Sequence, residues 1–163
     1  MEKPIFIGLM DVVNPNVTEP KELDLGQTII CDSTIATEYK KAVNRPITQI
    51  YIGTQGNPHY LVKALWDTGS TTSCISKRFA SKMGIQPINT GIGLSASEKF
   101  DISYYLLNLY MSNELVIEHV KVAEFPMQHH DVDFLIGMDV ISKGDFSITN
   151  KDGKMKLTFK LTK

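Results

Sequence analysis

Ala64-Leu65-Trp66-Asp67-Thr68-Gly69-Ser70 places an acid directly after an apolar run and directly before a turn. The apolar lead-in reads as the end of a strand, so the carboxylate of Asp67 sits where a rigid element stops. Positions of that kind hold a functional group more precisely than a loop does. Gly69 permits close backbone approach or unusual dihedrals. The Thr68 hydroxyl can bond locally and hold the turn. Read alone, Asp-Thr-Gly also describes an ordinary surface turn, because Asp and Gly are common turn residues. The decision therefore rests on what surrounds it.

Working outward, Thr71-Thr72-Ser73-Cys74-Ile75 is β-prone, which makes the acid the centre of a strand–turn–strand unit. On the other side, Ile47 to Ile52 alternates apolar and polar residues like a half-buried strand. Gly53, Gly56, Asn57 and Pro58 form a turn, and Tyr60 to Trp66 returns, so 47–66 reads as a hairpin feeding Asp67. Ser76 is placed to cap a short helix through Met83, with Gly84 as its stop. Thr90 to Phe100, with Gly91 and Gly93, reads as a flexible loop or hairpin tip. Ile102 to Met111 and Leu115 to Phe125 are strands around a Ser112-Asn113-Glu114 turn. Phe134-Leu135-Ile136 is a short apolar strand ended by Gly137. A short helix is expected over Met138 to Lys143, stopped by Gly144. Phe146 to Thr149 and Lys154 to Leu161 flank Asp152-Gly153, a strong hairpin signal.

Residues 1–44 read differently from the rest. Ile5 to Met10 suits a short strand, and Asn14-Pro15-Asn16 and Glu19-Pro20 punctuate a loop. Leu23 to Ile30 is too short and mixed to assign. Ser33 to Val43 suits a helical turn or two before Pro46. This extension could pack on the main domain, complete its sheet, or serve as a removable pro-segment. The division expected is an extension over 1–44 and a β domain over 45–163.

Composition narrows the classes. The chain has 163 residues, 42% hydrophobic and 21% charged, enough to bury a core without metals or disulfides. A net charge of −1 supplies no field for nucleic acid or a membrane surface. No apolar run approaches the roughly 20 residues that span a bilayer. The N-terminal residues lack a signal-peptide pattern, which favours the cytoplasm. Cys31 and Cys74 read as small buried hydrophobes rather than a disulfide framework.

Other chemistries find weaker support. His129-His130 with Asp131 and Asp133 offers metal-ligand types, but zinc sites draw on well-spaced ligands, so a polar loop is the better reading. His59 and His119 read as ordinary turn and strand residues. Tyr104, Tyr105 and Tyr110 share one strand and read as core and surface aromatics. Ser70, Ser73 and Cys74 have no recognisable activating base for nucleophilic work.

The order and spacing of Asp67-Thr68-Gly69, Gly91-Ile92-Gly93 and Phe134-Leu135-Ile136-Gly137-Met138-Asp139 resemble the retropepsin-like, or retroviral-type, aspartic proteases. The likeness covers about residues 45–160 and is nearer the cellular and bacterial relatives than the viral enzymes. It implies an all-β acid-protease fold, a half-pepsin barrel with one or two short helices. It implies that Asp67 is the catalytic carboxylate. Thr68 would cross-bond with its symmetry mate, and Gly69 would leave backbone groups near the substrate. Gly91, Ile92 and Gly93 would lie at or near a flap over bound peptide. Leu135, Ile136 and Gly137 would pack behind the catalytic turn. Leu94-Ser95-Ala96-Ser97-Glu98-Lys99 makes that flap longer and more polar than a compact viral one. Met138 stands where viral enzymes often carry an arginine.

Chemistry adds the stoichiometry. Aspartic proteases use two carboxylates sharing one proton. The sequence contains no second Asp-Thr-Gly or Asp-Ser-Gly; Asp152-Gly153 lacks the hydroxyl residue, and Asp139 reads as a helix-starting acid. The second aspartate is thus expected from an identical chain across a two-fold axis. The expectation is an endopeptidase acting on extended polypeptides, homodimeric, with no cofactor, metal, nucleic acid or membrane partner. The rival is a catalytically silent peptide-binding or dimerisation module on the same fold.

Overall fold

A computed structural model of the protein describes residues 5–6, 24–31, 33–56, 59–94, 99–112, 114–125 and 131–162. Its strands are β1 (Ile5–Phe6), β2 (Gln27–Cys31), β3 (Thr34–Tyr39), β4 (Ile47–Gly53), β5 (Tyr60–Trp66), β6 (Cys74–Ser76), β7 (Asn89–Leu94), β8 (Lys99–Tyr110), β9 (Val116–Phe125), β10 (Phe134–Ile136), β11 (Gly144–Lys151) and β12 (Lys154–Leu161). Two short helices interrupt them, α1 (Lys77–Met83) and α2 (Met138–Ile141).

The larger sheet runs β1-β7-β8-β4-β5-β10-β6-β9, and a further β8–β9 pairing closes it. The closed ring is therefore β8-β4-β5-β10-β6-β9, with β7 and β1 carried outward from β8. The 47–66 hairpin pairs with Ile47 opposite Leu65 and Ile52 opposite Tyr60. Alternation along β4 buries Ile50 and Ile52 while Gln49 and Tyr51 face out. The barrel core also takes Val62, Ala64, Trp66, Leu107, Leu109 and Phe134. The fold is mostly β, as expected of the retropepsin type.

A second sheet, β11-β12-β3-β2, packs against the barrel. The Trp66 indole stacks on Phe146 of β11 at 5.3 Å between ring centroids and lies against Phe159 of β12. Ser33 to Val43 is not helical. Thr34–Tyr39 is a strand, paired with β12 from Thr34–Lys160 to Tyr39–Met155. Its β-branched residues Thr34, Ile35 and Thr37 favour a pleated surface. Ile35, Thr37 and Tyr39 are buried. Most of β2, which pairs with β3, falls in the unassigned Leu23–Ile30 stretch. Of the expected Ile5–Met10 strand, Ile5–Phe6 is one, and residues 7–10 lie outside the described residues.

Local signals mostly behave as read. Ser76 accepts the Phe79 N–H, and Gly84 ends α1 in the left-handed region at φ 64°. Asp152 and Gly153 both take positive φ, 51° and 76°, at the β11–β12 turn. Gly144 differs. The helix ends at Ile141, capped by Ser142, and Gly144 already belongs to β11. Glycine is needed there because a side chain would run into the Lys160 carbonyl of β12.

Candidate active site

β5 delivers Asp67, and β6 carries the chain away. β10 lies between them, parallel to β5 with Ile136 opposite Trp66, and antiparallel to β6 with Leu135 opposite Cys74. The turn around the acid is thus backed by a strand bonded to both of its flanks. The Asp67 N–H donates to the Ile136 carbonyl at 3.0 Å.

Asp67 is half-buried. Its Oδ1 accepts the Gly69 N–H at 2.8 Å, and the Asp67 carbonyl accepts the Ser70 N–H at 3.3 Å. The turn is therefore held by bonds within itself, one to the Asp67 side chain and one to its backbone, while Thr68 and Gly69 stay exposed. Ser70 is buried; its hydroxyl donates to the Thr72 carbonyl and its carbonyl accepts the Met138 N–H, both at 2.8 Å. A Cβ on Gly137 would lie 2.7 Å from the Thr72 carbonyl carbon and 3.0 Å from the Ser70 oxygen, so only glycine lets the two segments approach.

Sequence reasoning weighed Ser73 and Asp139 only as a nucleophile and a helix-starting acid. Both belong to the support of the turn. The fully buried Ser73 hydroxyl donates to Asp139 Oδ1 at 2.8 Å and accepts the Gly137 N–H at 3.0 Å. No local pattern marks this pair, because 66 residues separate its members. Cys74 is also buried. Burial pushes its thiol well above the ordinary range, and the nearby Asp139 and Asp67 charges add to that. Such a thiol stays protonated and unreactive.

Gly91, Ile92 and Gly93 lie on the first arm of the β7–β8 hairpin, opposite Ile102, Asp101 and Phe100. A Cβ on Gly91 would meet the Tyr104 ring at 2.9 Å, and one on Gly93 the Phe100 ring at 2.8 Å. The glycines thus make room for aromatic rings of β8. Ile92 is 60% exposed. Residues 95–98 lie outside the described residues.

The two described candidate ligands each have an arginine partner. Asp131 pairs with Arg45 and Asp133 with Arg78, each at 2.8 Å. His129 and His130 lie outside the described residues. Among the described residues, no three His, Cys, Asp or Glu side chains cluster to hold a metal, and no helix is long and apolar enough to cross a membrane.

Residues 53–140, more than half the chain, match the family described as aspartyl protease. The chain belongs to that family. Among solved structures it is similar to a retropepsin-like aspartic protease from Rickettsia conorii, at 17% identity and a TM-score of 0.47, covering 82% of this chain and 100% of that one. It is similar to the simian foamy virus (mac) protease at 19% identity and a TM-score of 0.40, covering 58% and 92%. The retroviral protease-like domain of Ddi1 from Leishmania major is 15% identical, with a TM-score of 0.40 and coverage of 72% and 94%. No curated protein matches the sequence. The family match includes Asp67, the β7–β8 hairpin and the Phe134–Asp139 element.

Proposed function

We propose that the protein is an aspartic endopeptidase that works as a homodimer, with Asp67 of each copy forming the catalytic pair. The observation that carries this is Asp67 itself. Its carboxylate stands at the end of a barrel strand, held by the Gly69 N–H, in a turn whose Thr68 and Gly69 remain open to a partner. A second Asp-Thr/Ser-Gly is missing from the sequence, so the pair needs an identical chain. A two-fold axis beside Thr68 would bring the copies together through one self-complementary face.

Two carboxylates brought face to face across that axis could not both ionise easily, and so would share one proton. The ionised member takes a proton from a water whose oxygen bonds to the scissile carbonyl carbon. The protonated member gives its proton to the carbonyl oxygen. The tetrahedral intermediate collapses as the C–N bond breaks: the amine nitrogen accepts the proton first taken from water, and the other carboxylate recovers one from a hydroxyl of the intermediate. The substrate is an extended polypeptide, bound by strand-like backbone bonds, with the β7–β8 hairpin folding over it as a flap. No cofactor takes part.

Incubation of wild-type and Asp67→Ala protein with a diverse peptide library over pH 4–7 tests this. Cleavage by wild-type alone, blocked by a statine-type inhibitor, is the expected result. Equal cleavage by both proteins would sink the assignment, and a strictly monomeric active enzyme on light scattering would sink the mechanism.

A further inference from the structure

We propose that Asp139 is a positioning residue for the Asp67 turn, acting through Ser73 and Gly137. The proposal rests on the reading of Asp67 as catalytic, and it assigns a role outside the Asp-Thr-Gly segment.

Asp139 Oδ1 accepts two donors. One is the Ser73 hydroxyl at 2.8 Å, the other the Val140 N–H at 3.0 Å. The second bond fixes the carboxylate against its own helix. The first fixes the Ser73 rotamer, since a hydroxyl that donates to a carboxylate turns its lone pairs elsewhere. That leaves Ser73 Oγ free to accept the Gly137 N–H at 3.0 Å. Gly137 sits against the backbone of Ser70 and Thr72 with no room for a Cβ. On either side of it, the Ile136 carbonyl takes the Asp67 N–H and the Met138 N–H gives to the Ser70 carbonyl. Residues 136–139 therefore grip residues 67–73 at successive points, and Asp139 anchors the far end.

Removing the carboxylate breaks this chain at its buried link. Ser73 is fully buried, so its hydroxyl would rotate in search of another acceptor and turn its lone pairs away from the Gly137 N–H, weakening that bond. The turn would loosen where catalysis needs placement to a fraction of an ångström. A 1 Å misplacement costs about 10²-fold in rate. Asp139 touches no reacting atom in this scheme, so substrate binding is spared.

The test compares Asp139→Ala, Asp139→Asn and Ser73→Ala in the full chain by peptide-cleavage kinetics and by amide hydrogen exchange. Asp139→Ala is expected to lower kcat about 10–10²-fold with KM within about twofold, and to speed exchange at Gly69 to Ser73. Ser73→Ala is expected to do the same. Asp139→Asn keeps an oxygen for both donors and should recover most of kcat and of the exchange protection. The proposal is overturned if Asp139→Ala leaves kcat and turn exchange unchanged while lowering Tm. It is equally overturned if Asp139→Asn is as impaired as Asp139→Ala. If wild-type cleaves no peptide, the catalytic reading of Asp67 fails, and the exchange data still decide whether Asp139 holds the turn.

Discussion

The N–H of Asp67 donates to the carbonyl of Ile136 at 3.0 Å, joining the acid to a strand 69 residues further along the chain. The bond ends the parallel β5–β10 ladder and starts the turn. It explains why the acid belongs to the barrel rather than to a loop: the backbone of Asp67 is the last rung of a buried sheet. Its carboxylate faces the turn and its backbone is fixed.

Asp67→Asn keeps the size of the side chain and a carbonyl oxygen for the Gly69 N–H. It removes the group that takes a proton from water. Peptide cleavage should fall at least about 10³-fold with Tm within a few degrees of wild-type. Steady-state kinetics and thermal unfolding of one preparation check both halves.

Gly137→Ala pushes a methyl into the Thr72 carbonyl, which is backbone and cannot swing away. Overpacking of this kind costs about 1–3 kcal/mol. Denaturant unfolding should show that loss. Cleavage should suffer more than the stability loss explains, because the displaced segment is the one that carries Asp67.

Thr48 sits at the centre of a buried polar chain. Its Oγ1 accepts the Trp66 indole N–H at 3.0 Å and bonds the Thr37 hydroxyl at 2.8 Å. Thr48→Val leaves the indole without that acceptor in a dry site, at a cost of about 1–3 kcal/mol. In a chain of this size that is about 2–4 °C in Tm per kcal/mol. An unchanged Tm would contradict a stabilising role for the Trp66–Thr48 bond.

Asp133 and Arg78 form an asymmetric pair. The Asp133 side chain is nearly covered and also accepts the Lys63 N–H at 3.3 Å, while that of Arg78 is 56% exposed. Asp133→Ala should therefore destabilise by about 1–3 kcal/mol, and Arg78→Ala by about 0–1 kcal/mol. Parallel urea titrations of the two variants give the order.

Tyr39 gives the fold a pH dependence at high pH. Burial is the main cause that pushes its hydroxyl up to about 12; a bond with Thr48 opposes the shift and the Asp24 charge adds to it. The hydroxyl donates to the Ile47 carbonyl at 2.8 Å. A phenol raised above its ordinary value of about 10 favours the folded state while protonated. This contribution is present in full below about pH 10 and is lost as pH rises towards about 12. Tyr39→Phe should be less stable at neutral pH and should lose stability less steeply over that window. Thermal unfolding from pH 8 to 11.5 measures both.

The sequence by itself determined the barrel strands, the capped helix after Ser76, the Asp152-Gly153 hairpin and Asp67 as the candidate acid. Each rests on a local cause: alternation along a half-buried strand, a cap that satisfies helix N–H groups, or glycine where φ is positive. Tertiary structure alone decided the rest. Thr34–Tyr39 became a strand because β12 offers an edge and the Ile35 and Tyr39 side chains find cover. Gly144 proved to be a point of close strand approach rather than a helix stop. The Ser73–Asp139 bond joins residues far apart in the chain, and no local pattern encodes a contact that exists only after β10 has inserted between β5 and β6.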